Sequence, residues 1–252
     1  MFSEKLRITS HNKCAEGWYR IAFEAPHFAE ESVPGQFFMV EVGSGTDPFL
    51  RRPMSLHRFV RDDNGDPTGF DLLYKVEGRG TELLSKVRVG ETVGVFGPLG
   101  HGFSVAEEAS RHCLVMGGTG VAPMAALAEK LVLSGFKPKV LYGARTGAEI
   151  VCKQDFEKLD VDLALFTDDG SLGAKGMVTN GLEELLEAAP DGERAGTAIY
   201  ACGPHGMLAA VAGFAHREGI PCQVSLEARM GCGLGACMSC AVRAAETGPE
   251  GE

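Results

Sequence analysis

Cys232, Cys237 and Cys240 lie near the end of the chain in the run Gly231-Cys232-Gly233-Leu234-Gly235-Ala236-Cys237-Met238-Ser239-Cys240. Four residues separate the first two thiols and two separate the second pair. That C-x4-C-x2-C spacing is the run of a plant-type [2Fe–2S] site, whose fourth cysteine normally follows at a distance. The glycines suit a tight loop that needs positive φ, and they let backbone N–H groups approach cluster sulfides. Zinc is the nearest rival, but its sites favour paired C-x2-C units, often with histidine, and no histidine follows His216. The plainer reading, buried or disulfide-bonded cysteines, does not account for three thiols at this spacing among glycines. No fourth cysteine follows Cys240 before Glu252.

A second chemical stretch is Gly118-Thr119-Gly120-Val121-Ala122-Pro123, which follows the apolar run His112 to Met116 and opens a helical pattern. It matches G-x-G-x-x-G with Pro123 in place of the third glycine. Glycines let a backbone approach a pyrophosphate, and a helix start offers free N–H groups and positive dipole. Proline suits a first helical turn, where its absent N–H is not missed. A strand-to-helix turn can be glycine-rich without a ligand, so the weight comes from its place at the first β–α junction of an α/β half.

The acid of a standard dinucleotide fold is absent after the second strand, which ends in Tyr142-Gly143-Ala144-Arg145. Acids come one strand later, in Thr167-Asp168-Asp169-Gly170-Ser171. Asp168 is the candidate to accept from an adenosine ribose, whereas Asp169 reads as a plain Asp-Gly turn. Cys202-Gly203-Pro204 ends the fourth parallel strand, where α/β sheets bind ligands. For Cys202 the alternative of a small buried residue is equally open.

In the first hundred residues, Arg51-Arg52-Pro53-Met54-Ser55 puts a diphosphate clamp, a stiff turn and a hydroxyl in one string. A solvated basic turn explains Arg51 but not the whole string. Gly80 and Thr81, in Gly78-Arg79-Gly80-Thr81, precede a short helix and can present N–H groups to the same phosphates. The seven histidines are scattered without partners at suggestive spacing.

The elements that must carry these residues change character along the chain. Leu6 to Ser10, Trp18 to Glu24, Gln36 to Val42, Met54 to Val60, Phe70 to Lys75 and Thr92 to Phe96 read as short strands. Pro34-Gly35, the run from Asp62 to Pro67 and Gly97-Pro98 punctuate them. Six such strands predict a small antiparallel barrel, with a short helix at Thr81 to Val87. Beyond Ser104, apolar runs at His112–Met116, Lys139–Tyr142, Val161–Phe166, Thr197–Ala201 and Cys222–Leu226 are interleaved with helical patterns. Those patterns are Pro123–Ser134, Gln154–Leu159, Gly181–Ala188 and His205–Glu218. Alternation of strand and helix predicts a parallel sheet covered on both faces. The expected divisions are a barrel over 1–103, an α/β domain over 104–226 and a thiol-bearing segment over 227–252.

At 252 residues with 44% hydrophobic and 23% charged residues, the composition is that of a soluble globular protein. The net charge of −10 argues against broad binding to nucleic acid or anionic membranes. There is no eighteen-residue apolar run and no signal-peptide core at Met1-Phe2-Ser3-Glu4-Lys5, so a cytoplasmic protein with reduced thiols is expected.

Taken in order, Arg52-Pro53-x-Ser55, Gly80-Thr81, Gly118-x-Gly120-x-x-Pro123, Cys202-Gly203-Pro204 and the terminal thiols resemble the ferredoxin–NADP reductase superfamily. Within it the chain is most similar to the electron-transfer subunits of class 1B dihydroorotate dehydrogenases, over essentially its whole length. The specific marker is the thiol loop fused directly behind the nucleotide domain. Gly97-Pro98-Leu99-Gly100 and the stretch Thr167 to Ser171 share that likeness.

The resemblance implies FAD on the barrel, NAD on the α/β domain and a [2Fe–2S] cluster. It implies that Arg52, Pro53, Met54 and Ser55 hold the flavin and its diphosphate. Leu73, Tyr74 and Lys75 would line the flavin, and Gly80 and Thr81 would meet the phosphates. Gly118, Thr119, Gly120, Pro123, Asp168, Cys202, Gly203 and Pro204 would serve the dinucleotide, and Cys232, Cys237 and Cys240 the iron. No catalytic acid, base or nucleophile is implied. The implied partner is an FMN-containing, dihydroorotate-oxidising subunit in a heterotetramer of two of each.

Two other functions share these features. One is the small subunit of an NADH-dependent ferredoxin:NADP+ oxidoreductase or a sulfide dehydrogenase; there the first cluster ligand is often not cysteine, so Cys232 favours the dihydroorotate reading. The other is a redox-sensing module without turnover. The one departure from the family pattern is the missing fourth thiol. Cys14, expected in the barrel's first turn, Cys152 before a helix, Cys113 and Cys222 in strand cores and Cys202 at the nicotinamide edge are poor substitutes. The polar stretch from Ala244 to Glu252 reads as an unfinished loop, so the natural chain is expected to continue to a fourth cysteine.

Overall fold

The computed structural model describes residues 1–43, 45 and 47–242. The expected segment 244–252 lies outside the described residues. The first half forms β1 (Phe2–Ala15), β2 (Trp18–Glu24), α1 (Pro26–Glu30), β3 (Phe37–Val40), β4 (Arg52–Arg61), β5 (Pro67–Lys75), α2 (Arg79–Leu84) and β6 (Thr92–Leu99). The six strands close into an antiparallel barrel in the order β1-β2-β5-β4-β3-β6, with β6 paired back to β1. Inward-facing apolar residues fill it: Phe23, Phe38, Phe70, Leu56 and Leu72 are buried, and α1 adds Phe28. Phe38 and Phe70 stack at 4.2 Å between ring centroids.

The second half forms β7 (Arg111–Gly117), α3 (Val121–Leu133), β8 (Lys139–Ala144), α4 (Lys153–Glu157), β9 (Asp162–Thr167), β10 (Ala174–Lys175) and α5 (Val178–Glu187). It continues with α6 (Asp191–Ala195), β11 (Thr197–Cys202), α7 (His205–Glu218) and β12 (Cys222–Ser225). The sheet is parallel throughout, ordered β10-β9-β8-β7-β11-β12. Central β7 is covered on both faces, which is why its residues from His112 to Gly117 are all buried. No helix among the described residues is long and apolar enough to cross a membrane.

Helix α3 joins the halves. Its alanines keep it slim enough to be buried almost all round. Ala122, Ala125 and Ala128 pack into the sheet-side core, while Ala126 packs into the barrel core.

Several local expectations differ from the structure for physical reasons. β1 runs well past Ser10 because its outer face is polar, which hides the strand period. Cys14 is therefore a residue of β1, not of a turn. β6 continues through Gly97-Pro98: its register against β3 slips between Phe37 and Met39, and an extra residue in β6 tolerates the missing N–H. A 3-10 turn at Gly118–Gly120 precedes α3, so Pro123 is the third helical residue, still inside the turn whose N–H groups lack intrahelical partners. The short elements α1, α6 and β10 carry too few residues to show a period.

Gly120 shows how tightly the first β–α turn is held. Its backbone is helical, but an added Cβ would lie 2.0 Å from the carbonyl oxygen of Cys202. Gly120→Ala should therefore force β7–α3 away from the end of β11 and destabilise the fold by about 3 kcal/mol. Urea unfolding followed by circular dichroism measures this; an unchanged midpoint would show that the turn relaxes freely.

Candidate functional site

The carboxyl ends of the parallel strands face the barrel, and two adjoining cavities lie along that seam. The first, of about 300 Å³, is a groove against β4 and β5. Arg52, Pro53, Met54 and Ser55 form one wall, and Leu73, Tyr74, Lys75 and Thr81 another. The register of β3 against β4 explains the first wall: Val40, Met39, Phe38 and Phe37 pair with Arg52 to Ser55 in turn and hold the string extended. The Tyr74 ring belongs to the barrel core, and its hydroxyl donates to His11 Nε2 at 2.8 Å while His11 Nδ1 donates to the Val87 carbonyl. Burial pushes the Tyr74 hydroxyl pKa up, so it stays protonated.

Arg52 lies across the start of α2. A Cβ on Gly80 would come within 2.6 Å of its Nε, so glycine makes room for the guanidinium. Gly80 does not itself line the groove. Thr81 Oγ1 accepts from the Glu77 N–H at 3.0 Å and donates to the Gly78 carbonyl, shaping the loop before α2.

The second cavity, about 1020 Å³, opens over the strand ends. Gly118, Thr119, Asp168 and Pro204 line it, with Arg145 and Met177. Gly120, Pro123, Cys202 and Gly203 do not. Gly120 packs against β11, and Pro123 is buried in α3. Cys202 is buried, with burial first and the charge of Glu227 second pushing its thiol up to about 12. Its burial at the end of β11 is compatible with either reading of Cys202. Gly203, at φ 155°, lets the chain pass over Gly117 and beneath Met207.

Asp168 stands at the cavity edge, while Asp169 closes its own turn by accepting from the Ser171 N–H at 2.9 Å and its hydroxyl at 2.6 Å. Arg145 is engaged by Glu149, with Nε donating to Oε2 at 3.1 Å. Acids therefore dominate the charged lining: Glu16, Glu77, Glu149 and Asp168 against Lys75 and Arg145.

Trp18, Lys75, Glu77 and Thr119 line both cavities, so the two meet there. Trp18 and Glu77 carried no motif, although Trp18 is the single tryptophan of the chain. The larger omission is the stretch Ser225 to Met230, which forms the outer wall of the groove. It is pinned by Thr119 Oγ1 donating to Glu227 Oε1 at 2.7 Å. Nothing in its composition marks it.

From this wall the chain passes to the thiol loop. Gly233, at φ 74°, is seated on the barrel: a Cβ there would lie 2.8 Å from Met39 Cγ and 3.1 Å from Leu99 Cδ1. The loop thus rests against β3 and β6, one strand away from the Arg52–Ser55 string. Gly235 also has positive φ, as does Met238. The N–H groups of Leu234 and Cys237 point at Cys232 Sγ from 3.3 and 3.4 Å. The Ser239 hydroxyl, followed by backbone N–H groups, holds the Cys237 thiol down to about 6. Among the described residues the one set of three ligand atoms within 4.8 Å of one another is His57, Cys152 and Asp155, away from the thiol loop. A thiol loop with N–H donors aimed at Cys232 Sγ offers the backbone hydrogen bonds that cluster-bound sulfur takes.

Comparison with known proteins agrees with this layout. Residues 114–213 match the oxidoreductase NAD-binding domain. The fold is that of ferredoxin reductases: the structure of an NADH-dependent reduced ferredoxin-NADP oxidoreductase superposes with a TM-score of 0.79 at 28% identity, covering 94% of this chain and 81% of that one. The ferredoxin reductase in carbazole 1,9a-dioxygenase gives 0.72 at 19% identity, over 89% and 70% of the two chains. The chain is thus an oxidoreductase of the ferredoxin-reductase-like class. It is 40% identical over 236 residues to the dihydroorotate dehydrogenase B (NAD(+)) electron transfer subunit of Desulforamulus reducens, covering 93% of this chain and 86% of the relative. It is 39% identical over 241 residues to that of Bacillus caldolyticus, covering 94% and 88%. The chain belongs to the family of dihydroorotate dehydrogenase B electron transfer subunits.

Proposed function

We propose that this chain carries electrons from a dihydroorotate-oxidising, FMN-containing partner subunit through a [2Fe–2S] cluster and FAD to NAD+. The observation that carries this reading is the junction at Trp18, Lys75, Glu77 and Thr119, where the groove on the barrel opens into the cavity over the parallel strands. The relatives' name, electron transfer subunit of a dihydroorotate dehydrogenase B (NAD(+)), supports NAD+ as the acceptor and a dihydroorotate-oxidising partner.

A flavin accepts the two electrons of a hydride together and exchanges them singly with a cluster, so it belongs between the two other carriers. The chain's own residues fit that role. Arg52 offers a planar guanidinium to a diphosphate beside Gly80, whose missing side chain leaves it room. Ser55 and the 73–75 backbone offer hydrogen bonds along an extended wall, while residues from Ser225 to Met230 line the groove from the other side. Lys75, paired with Glu77 at 2.8 Å, places a fixed dipole where the two cavities join. Cys232, Cys237 and Cys240 would hold iron, with the Leu234 and Cys237 N–H groups stabilising charge on sulfur. Leu234, Met238 and Val242 are exposed on this segment and suit a partner that buries them.

Arg52→Ala should weaken FAD binding by about one to two decades, the worth of a charge-assisted contact. Fluorescence titration of the apoprotein with FAD measures it, and an unchanged dissociation constant would make Arg52 a mere surface charge.

The dinucleotide should be NAD. Asp168 can accept from ribose hydroxyls and would repel a 2′-phosphate, and Arg145 is already neutralised by Glu149. Diaphorase assays should give a higher kcat/KM with NADH than with NADPH. Equal or better efficiency with NADPH would overturn the assignment, and absence of turnover with either would favour a sensing module.

A further inference from the structure

Two cysteines belong to neither cavity nor the thiol loop, yet they meet across the boundary between barrel and sheet. Cys14 sits where the β1–β2 register slips: Lys13 pairs with Tyr19 and Ala15 with Trp18, leaving Cys14 as the extra residue of a bulge. Bulges re-aim side chains. Cys152 precedes α4 with φ 54°, and among the described residues only Met238 is another non-glycine with positive φ. One backbone irregularity in each half thus displaces a thiol at the seam: Arg20, paired with Asn12 across the β1–β2 ladder, reaches Asp155 at 2.8 Å, and Cys152 Sγ lies within 4.8 Å of that carboxylate, which makes the two thiols neighbours. The Cys152 S–H, with Arg20 and His57 nearby, holds Cys14 down to about 7, whereas contact with Cys14 and then burial push Cys152 up. Cys14 is exposed and Cys152 half-buried, the arrangement of an attacking thiol and a resolving one.

The surroundings favour a thiolate. His57 is fully buried, with Nδ1 2.8 Å from the Ala122 carbonyl and Nε2 3.2 Å from Asp155 Oδ2. Arg20 and Arg58 bring two guanidinium groups to this spot, Arg20 facing Asp71 and Asp155 and Arg58 facing Asp155. His57, Cys152 and Asp155 lie within a metal ion's span, but Asp155 already accepts from Arg20 and Arg58 at 2.8 Å each. A cation would have to settle beside two guanidinium groups, so the cluster suits thiol chemistry better than a metal.

We propose that Cys14 and Cys152 form a modification site, oxidised to an interdomain disulfide by low-molecular-weight disulfides. The Cys14 thiolate attacks one sulfur of the small disulfide, forming a mixed disulfide and releasing one thiolate. The Cys152 thiol, giving its proton to the released thiolate, then attacks the Cys14 sulfur and releases the second thiolate, which takes up from solvent the proton that Cys14 had lost. Two protein thiols are oxidised and one small disulfide is reduced to two thiols. The new bond ties the β1 bulge to the start of α4. It lies close in sequence to Glu16 and Glu149, which line the dinucleotide cavity from the barrel and the sheet. Oxidation therefore fixes the two walls of that cavity relative to one another.

The test is anaerobic incubation of the full holoprotein with glutathione disulfide, followed by alkylation, non-reducing digestion and mass spectrometry. A peptide joining Cys14 to Cys152, two hydrogens lighter than its parts and separated by dithiothreitol, is expected. In Cys152→Ser, Cys14 should accumulate as its glutathione adduct, whereas in Cys14→Ser, Cys152 should stay unmodified. Both variants should keep basal diaphorase activity. The proposal is overturned if the wild-type chain shows no cross-linked peptide, if Cys152 is the residue that first takes up glutathione, or if one zinc per chain blocks both thiols until a chelator removes it.

Discussion

Asp155 is where the two halves are held in register. Its buried carboxylate accepts from Arg20 of β2 and Arg58 of β4, and faces His57 of β4, so three barrel side chains converge on one residue of α4. Burial alone would raise its pKa, but the His57 hydrogen bond and the charges of His57, Arg20 and Arg58 outweigh this and hold it below the usual carboxyl range. A depressed folded pKa means that this contribution is fully present above an unfolded carboxyl's pKa of about 4 and fades as the pH falls below it. Removing any one partner would leave buried charge unbalanced, which costs more than a surface pair is worth. Helix α3 complements the polar clamp with a dry one, its small residues letting barrel and sheet approach from opposite sides.

Everything at the seam depends on that register. The two cavities share Trp18, Lys75, Glu77 and Thr119 only because the barrel strand carrying Lys75 meets the β7–α3 turn carrying Thr119. The Ser225–Met230 wall is held by Glu227 on the same turn, and the thiol loop beyond it is seated on Met39 and Leu99. A shift of one half against the other would open the groove, separate the cavities and lift the wall together. On the proposed function, one seam and one returning segment of chain would serve all three carriers.

Much of this was legible in the sequence where a residue's role is local. Trp18–Glu24 and His205–Glu218 are recoverable to the residue because strand and helix periods and flanking turns coincide. The Arg52–Ser55 string and Gly118-Thr119 announce their cavities because their residue types are unusual together. Cys202 was ambiguous because a strand end brings a residue near a ligand edge without fixing which way its side chain points. Glu227 and Trp18 were silent because their parts arise from tertiary contact. The Asp155 cluster was invisible for the same reason: Arg20 and Asp155 are 135 residues apart, and no period links them.

The account's central claim is an order of carriers, with the dinucleotide meeting the flavin inside this chain and the thiol loop lying on the far side, toward the partner. Anaerobic stopped-flow comparison of the wild-type complex with its Cys237→Ser variant tests that order most directly. Flavin bleaching by NADH on this chain should proceed at an unchanged rate in the variant, while onward reduction of the partner subunit's flavin should be lost. Undiminished transfer to the partner in the variant, or loss of the NADH step itself, would contradict the order.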